Sequence, residues 1–325
     1  MNEIQENLTN VKEKSGKQNH EALFSRNRLP PFIRRYFNLI SPLDDIPIWR
    51  AFFGGNKLPP VYRPHLLLIS NIKMGLGLPW KTSKDSMQLE LTSFCNLSCP
   101  NCERSIGLAP CKEYMSLEQI DKFINESIDL NLKWKALHLI GGEPTLHPQF
   151  FNVLDIIKRY KDINPNCFIV VWTNGYGERV NKILSRLPPW IKIENSKKDP
   201  KIVPNFMSYN IAPIDLKEYK NANFSKGCCV TEICGTSLTR YGYYPCGPGA
   251  TVDRVFGFDV GIKKISDLKD IELKNQMSLL CRYCGYFKYS EDFMKKNLVS
   301  EQKTSASWIK AYENYKTKKP ELSLY

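Results

Sequence analysis

A regular alternation of strand and helix patterns begins at Met87 and constrains the fold more than any other feature of the sequence. The strand patterns cover Met87 to Leu91, Ala136 to Ile140, Phe168 to Trp172, which we predict to be a buried strand, and Ile191 to Glu194. Units of one strand and one helix, repeated at about thirty residues, are typical of a parallel sheet with helical crossovers. We therefore predict an α/β fold.

The segments between the strands show apolar residues at the i, i+3, i+4, i+7 spacing of amphipathic helices. The first helix pattern opens with Ser116 and Gln119, which form a capping-box pair. The apolar positions of the three helix patterns are Leu117, Ile120, Ile124 and Ile128, then Phe150, Val153, Leu154 and Ile157, then Val180, Ile183, Leu184 and Leu187.

Polar and cysteine-bearing motifs follow three of the predicted strands. A cysteine loop follows the first strand, Gly141-Gly142-Glu143-Pro144 follows the second, and Thr173-Asn174-Gly175 follows the third, while Asn195 and Ser196 end the next strand. In parallel α/β folds, the loops at the carboxyl ends of the strands carry the chemistry. Their shared position predicts a single site.

The eleven cysteines favour metal ligation over disulfides. Residues 1 to 20 are polar and lack an apolar signal region, and the sequence contains no long apolar run, so we expect a cytoplasmic protein without a membrane span. That compartment keeps thiols reduced. The formal net charge of +13 is spread along the chain, which favours a solvated basic surface over nucleic-acid binding.

Three of the cysteines, Cys95, Cys99 and Cys102, stand at offsets of four and three residues in one loop. Thiolates bind zinc or iron-sulfur clusters, but structural zinc sites are usually closed by four ligands. Three cysteines without a nearby fourth leave one metal position open.

Together with the Gly-Gly-Glu and Thr-Asn-Gly loops, this Cys-x-x-x-Cys-x-x-Cys loop resembles the hallmark of the radical S-adenosylmethionine (SAM) superfamily. The resemblance implies a partial (β/α)6 TIM-like barrel and a catalytic 4Fe-4S cluster on Cys95, Cys99 and Cys102. It also implies an enzyme that reductively cleaves SAM to a 5'-deoxyadenosyl radical, which abstracts hydrogen from a substrate. An electron donor such as flavodoxin or ferredoxin is expected as a partner.

The same resemblance assigns the SAM-binding residues. The residues Gly141, Gly142 and Glu143 are expected to meet the SAM ammonium through backbone groups or the acid, while Thr173, Asn174 and Ser196 offer polar groups to the ribose hydroxyls and the carboxylate. Ordinary turns are the alternative interpretation of these loops. One residue departs from the family pattern: Asn101 stands where an aromatic residue often contacts the adenine, so we expect different adenine packing.

Six further cysteines follow residue 220, and their order resembles the SPASM and shorter twitch domains that carry auxiliary clusters. No cysteine follows Cys284, so a twitch-like domain with one auxiliary 4Fe-4S cluster fits better than a full SPASM domain. Its expected ligands are Cys246, Cys281 and Cys284, with a fourth from among Cys228, Cys229 and Cys234. A structural zinc site is the competing interpretation.

The predicted domains are an N-terminal extension over residues 1–84, the radical SAM core over 85–220, the cysteine-rich domain over 221–295 and a tail over 296–325. We expect the extension to be partly disordered at its start and then to wrap on the main domain. Within it, Phe32 to Phe37 is basic and aromatic, and packing is favoured over contact with a membrane surface. A hairpin is predicted around Tyr241 and Gly242, and a helix-like segment is predicted to lead to Cys281.

The substrate class stays open between a peptide and a small molecule, which would be modified, oxidised or epimerised. A non-catalytic binding protein stabilised by zinc or by a cluster is the alternative, but it leaves the Gly-Gly-Glu and Thr-Asn-Gly loops unexplained. Four residues receive no functional role: Cys111 and Cys167 as incidental thiols, and His138 and His147 as packing or capping residues.

Overall fold

The computed structural model describes residues 79–199, 209–287 and 304–325, all within one of the two compact units into which the chain divides. The predictions for residues 1–78 lie outside the described residues, including the disordered start, the wrapping segment and Phe32 to Phe37.

The predicted strands and helices of the first half are confirmed. The strands are β1 (Ser86–Thr92), β2 (Ala136–Gly141), β3 (Phe168–Thr173) and β4 (Ile191–Asn195), and the helices are α1 (Leu117–Asp129), α2 (Phe150–Ile163) and α3 (Glu178–Leu184). The capping box is present, because Ser116 Oγ accepts from the Gln119 N–H at 3.2 Å and Gln119 Oε1 accepts from the Ser116 N–H at 3.0 Å. Helix α3 is shorter than predicted and ends before Leu187.

The described strands form one six-stranded sheet in the order β4-β3-β2-β1-β5-β6, where β5 is Thr236–Thr239 and β6 is Gly242–Tyr244. Strands β1 to β5 pair in parallel and β6 is antiparallel to β5. The predicted α/β fold with a mostly parallel sheet is confirmed. Strand β5 lies beside β1 rather than beside β4, so the strand order does not simply follow the chain.

The main hydrophobic core lies between the sheet and the helices α1 and α2. Its centre includes the fully buried Leu89, Leu139, Phe123 and Ile157. Each such side chain contributes about 1.5–3 kcal/mol on burial. Because successive strand residues point to opposite faces, Gln88 and Glu90 lie on the other side of the sheet.

The prediction that Phe168 to Trp172 is a buried strand is wrong at both ends. Phe168 is 47% exposed and Trp172 is 38% exposed, while Ile169, Val170 and Val171 are buried. Although this strand is apolar throughout, its side chains alternate between the two faces of the sheet. The two large aromatic residues lie on the face away from the main core.

The C-terminal part adds the predicted hairpin to the main sheet. Strands β5 and β6 pair with Leu238 opposite Tyr243. The helices of this part are α4 (Cys229–Ile233), α5 (Gly247–Phe256), α6 (Asp270–Leu280), which matches the predicted helix before Cys281, and α7 (Ala306–Thr317). A second core forms around the fully buried Trp308 of α7, which packs on Tyr209 and Phe256.

Over the described ranges, no helix combines the length and the apolar character that crossing a membrane requires.

Candidate active site

The three-cysteine loop leaves the carboxyl end of β1 and folds into tight turns. Within it, the Leu97 N–H donates to Cys95 Sγ at 3.4 Å, and the Cys102 N–H donates to the Cys99 carbonyl at 3.3 Å. Between these turns, Asn101 is buried with a φ of 52°, a left-handed conformation that asparagine tolerates better than most residues. The loop thus holds three thiols in a short, compact segment.

The thiols of this loop influence one another. Burial raises the pKa of Cys95 to about 11, and the neighbouring charges of Cys102, Glu143 and Cys99 raise it further. Burial also raises the pKa of Cys99, while the nearby ammonium group of Lys198 opposes that shift. Binding of a cluster or metal would therefore be coupled to loss of thiol protons.

The two glycines after β2 allow the backbone to approach the cysteine loop. A Cβ atom at Gly142 would lie 2.2 Å from the Phe94 carbonyl oxygen and 3.0 Å from the Cys95 Cβ, and one at Gly141 would lie 2.2 Å from the Thr92 oxygen. The Gly142 N–H donates to the Thr92 carbonyl at 2.8 Å. The neighbouring backbone therefore leaves no room for a side chain at Gly141 or Gly142, whether or not a ligand also approaches them.

The Glu143 carboxylate is fully buried and joins two loops. Its Oε1 accepts from the Thr145 hydroxyl at 2.7 Å and from the Thr173 hydroxyl at 2.9 Å, and its Oε2 accepts from the Asn174 N–H at 2.7 Å. Burial raises the pKa of Glu143, and these hydrogen bonds oppose the shift. Backbone groups and the Glu143 carboxylate were the two expected contacts of the SAM ammonium. The geometry favours the backbone groups.

The loop after β3 contacts the cysteine loop through Asn174. Its Nδ2 lies 2.8 Å from Asn96 Oδ1 and 3.6 Å from Cys95 Sγ. From the other side, Asn96 Nδ2 donates to the Tyr176 carbonyl at 2.7 Å. Sequence reasoning missed Asn96, although its position directly after Cys95 was the available signal.

Two of the predicted polar site residues make hydrogen bonds within the site's own loops. The Thr173 hydroxyl donates to Glu143 and accepts from the Gly175 N–H at 3.1 Å. The Ser196 hydroxyl donates to the Thr173 carbonyl at 2.9 Å. Both residues lie at the predicted edge of the sheet, where these bonds fix the loops.

A second group of thiols lines one cavity between α4, α5 and α6. The cavity is lined by Cys228, Cys246, Cys281 and Cys284, and all four are buried. Burial raises the pKa of Cys246 to about 12, and the charge of Cys228 adds to the shift. Burial also raises the pKa of Cys281, and the charges of Cys228, Cys246 and Cys284 add to that shift.

The other two candidates for the fourth position, Cys229 and Cys234, do not line this cavity. Burial raises the pKa of Cys234 to about 12, with Glu103 as the next contributor. The structure thus places Cys228, rather than Cys234, on the lining of the cavity with the other three thiols, although the charges of Cys246 and Cys228 also act on the Cys234 thiol.

The residues without an assigned role have structural partners. The His147 Nδ1 accepts from the Gln149 N–H at 3.1 Å beside the start of α2, and Cys167 is buried in the main core. The Cys111 Sγ lies 2.9 Å from Ser93 Oγ. The His138 Nδ1 accepts from Trp172 Nε1 at 3.0 Å.

Neither the three-cysteine loop nor the second thiol group is arranged to hold a single metal ion. Within residues 79–199, 209–287 and 304–325, no three His, Cys, Asp or Glu side chains converge closely enough to hold one metal ion.

Comparison with known proteins gives a family match for part of the chain. Residues 89–193 match the family model described as Radical SAM superfamily. The GTP 3',8-cyclase of Aliarcobacter butzleri is 32% identical over 95 residues, which are 28% of this chain and 28% of the cyclase. A protein of Pyrococcus horikoshii named "Probable GTP 3',8-cyclase" is 34% identical over 76 residues, 23% of each chain. The chain thus spans about a quarter of the length of these curated relatives.

Two solved structures are also similar. BtrN in complex with AdoMet and 2-DOIA aligns with a TM-score of 0.37 and 14% identity, over 69% of this chain and 98% of that one. Streptococcus suis SuiB bound to S-adenosylmethionine aligns with a TM-score of 0.25 and 15% identity, over 42% of this chain and 29% of that one.

The family match covers a segment that contains the three-cysteine loop, the Gly-Gly-Glu loop and the Thr-Asn-Gly loop. On this ground residues 89–193 are a radical SAM domain. A domain of this family implies a 4Fe-4S cluster and SAM as cofactors.

Proposed function

We propose that this chain reductively cleaves SAM at a 4Fe-4S cluster held by Cys95, Cys99 and Cys102 and then abstracts a hydrogen atom from its substrate. The observation that carries the proposal is the junction of three loops at one edge of the sheet. The Gly142 and Asn174 loops contact the cysteine loop directly, and Glu143 links them to each other. The expected cytoplasmic location and the flavodoxin-like or ferredoxin-like electron donor remain predictions.

When bound and reduced, the cluster supplies the electron that breaks the sulfonium bond of SAM. The chain's own residues hold the site in shape. The tight turns present three thiols, the glycines bring the second loop against them, and the Asn174 amide contacts Cys95 Sγ. Placement of this kind fixes the reacting groups.

Lys198 extends the proposed SAM site beyond the residues predicted from sequence. Its charge acts on the Cys99 thiol, and its backbone N–H donates to the Asn174 carbonyl at 2.8 Å. A cation beside the three-cysteine loop suits the carboxylate of SAM. We assign the ammonium of SAM to backbone groups near Gly142, since the Glu143 carboxylate already accepts hydrogen bonds from Thr145, Thr173 and Asn174.

The second thiol group supports an auxiliary 4Fe-4S cluster on Cys228, Cys246, Cys281 and Cys284, in a twitch-like C-terminal part. Four thiolates would occupy the outer position of every iron and leave none for a substrate. Electron acceptance therefore suits this cluster better than substrate binding. The substrate would lose a hydrogen atom to the radical, then one electron to the cluster and one proton to a base, which is a two-electron oxidation.

The first test is anaerobic reconstitution with iron and sulfide, followed by SAM and dithionite, with 5'-deoxyadenosine as the product measured. Wild type should form it, Cys99→Ala should not, and Cys111→Ala should behave as wild type, because Cys111 lies outside the three-cysteine set. An iron-loaded wild type that leaves SAM intact would contradict the proposal.

The second test counts iron in the same preparations. Wild type should hold about eight irons per chain, as two four-iron clusters require. Cys228→Ala should fall to about four, while Cys234→Ala should stay near eight. Zinc in the second site of wild type, or loss of iron only in Cys234→Ala, would reject this ligand set.

A further inference from the structure

The residues that follow Cys102 reach across to the second thiol group. The Glu103 Oε2 accepts from the Tyr286 hydroxyl at 3.1 Å, and Tyr286 stands two positions after Cys284. The next residue, Arg104, turns its guanidinium toward the start of α5. Two consecutive side chains thus connect the three-cysteine loop to the elements that carry the auxiliary thiols.

The Arg104 side chain is only 7% exposed, so its charge lies in the protein interior. Its Nη1 stands 3.4 Å from Glu90 Oε2, and its Nη2 donates to Gln88 Oε1 at 3.4 Å. Both partners lie on β1, on the face away from the main core, and Glu90 is itself only 10% exposed. A buried guanidinium persists because such partners offset its loss of hydration.

The guanidinium lies directly against Gly247. A Cβ atom added there would lie 2.1 Å from Nη1 and 2.4 Å from Nη2 of Arg104, so only glycine leaves room for this side chain. Gly247 directly follows Cys246 and begins α5, and the Gly249 N–H donates to Cys246 Sγ at 3.4 Å. A full positive charge thus contacts the backbone one residue away from an auxiliary thiol.

We propose that Arg104 is a positioning residue of the auxiliary site, where its buried charge favours the reduced cluster and the carboxylate of Glu90 opposes it. The inference rests on the proposed auxiliary cluster. Reduction adds one electron and hence one negative charge, which a nearby cation stabilises. The effect is larger in the interior than at the surface, since charges there are less screened by water and salt.

The consequence concerns the oxidation step of the proposed reaction. A carbon-centred substrate radical gives up an electron more readily as the acceptor becomes easier to reduce. Arg104 would thereby make the auxiliary cluster a better acceptor, and its contact with Gly247 would keep the charge at a fixed position beside Cys246.

The test is a redox titration of the reconstituted full-length chain, followed by electron paramagnetic resonance. The auxiliary signal is the one that persists in Cys99→Ala. Arg104→Met should shift its midpoint to a more negative potential by at least a tenfold change in the reduction equilibrium, which is 59 mV for one electron. Glu90→Gln should shift it in the opposite direction. Arg179→Met, which removes an exposed arginine from α3, should leave it unchanged.

Iron content separates the possible failures. A wild type with about four irons and no signal in Cys99→Ala would overturn the auxiliary cluster itself. An unchanged potential in a fully loaded Arg104→Met would overturn the role of Arg104 alone. Should Arg104→Met lose the cluster, Arg104→Lys and Glu90→Gln decide the question. The inference requires a midpoint near wild type for Arg104→Lys and a more positive one for Glu90→Gln, and any other pair of values rejects it.

Discussion

The Glu143 Oε2 atom accepts a hydrogen bond from the backbone N–H of Asn174 at 2.7 Å, which joins the loop after β2 to the loop after β3. The other carboxylate oxygen accepts from Thr145 and Thr173. Because the backbone N–H groups of Thr145 and Asn174 each point at one of these oxygens and can only donate, both oxygens must be acceptors. The hydrogen-bonded carboxylate of Glu143 therefore sets how the two loops meet.

The substitution Glu143→Gln should loosen this junction. An amide group must direct its N–H donors at one of the two oxygen positions, and there they meet the backbone N–H of Thr145 or of Asn174, neither of which can accept. A buried polar group without a suitable partner costs about 1–3 kcal/mol. The free energy of unfolding, measured by urea denaturation, should fall by that amount, and 5'-deoxyadenosine formation should fall with it. Glu178→Gln, at the exposed start of α3, is the matched control, and equal stability of the two variants would contradict the argument.

The sequence was sufficient to predict which elements form and at which edge their loops lie. Strand and helix periodicity is local, and β1 to β4 and α1 to α3 follow from it. Contacts between distant segments are not encoded in periodicity. Strand β5 lies beside β1, and Arg104 packs on Gly247, although neither pairing has a local sequence signal. The roles of Lys198 and Arg104 emerge only when those segments meet.

The fourth thiol of the auxiliary site also could not be chosen from the sequence alone. Spacing left Cys228, Cys229 and Cys234 as alternatives. In the structure, Cys228 immediately precedes the short helix α4 and Cys234 immediately follows it. A helix rises about 1.5 Å per residue, so the two thiols stand at opposite ends of α4 and only one faces the cavity. A helix of this length carries too weak a pattern to be recognised from sequence.

Gly142→Ala should displace the three-cysteine loop. The new Cβ would meet the Phe94 backbone oxygen at 2.2 Å, and backbone atoms held by the β1 edge cannot move aside without moving Cys95. We expect iron retained after reconstitution to fall by about four atoms per chain, the content of one cluster. Gly107→Ala is the control in the same loop, since its Cβ would meet only the rotatable Ser98 hydroxyl. Full iron loading in Gly142→Ala would show that the close approach is not needed.

Lys198→Met should weaken SAM binding without removing the cluster. A hydrogen bond to a charged group contributes about 1.5–3 kcal/mol, so the SAM concentration for half-maximal cleavage should rise roughly 10-fold to 100-fold. Iron content should stay at the wild-type value. Lys197→Met removes an exposed lysine from the adjacent position and should leave the SAM dependence unchanged. Similar half-maximal concentrations in both variants would remove Lys198 from the proposed SAM site.

The imidazole of His138 gives the fold a pH dependence. Burial lowers its pKa from 6.5 to about 4, and the charge of Lys192 lowers it further. The Trp172 Nε1–H donates to Nδ1 at 3.0 Å, which requires that nitrogen to be unprotonated. The folded state therefore keeps His138 neutral at pH 5.5, whereas the unfolded chain protonates it below about 6.5. Since the unfolded state then binds more protons, its stability relative to the folded state rises as the pH falls.

The free energy of unfolding should consequently decrease between pH 7.5 and pH 5.5, with His138 contributing about 1 kcal/mol of that decrease. In His138→Gln, which cannot titrate, this part of the pH dependence should disappear. Burial also lowers the pKa of His147, but that residue is present in both proteins and its contribution cancels in the comparison. Urea denaturation of wild type and variant at the two pH values measures the difference. Parallel losses of stability in the two proteins would mean that His138 is protonated as easily in the fold as in the unfolded chain.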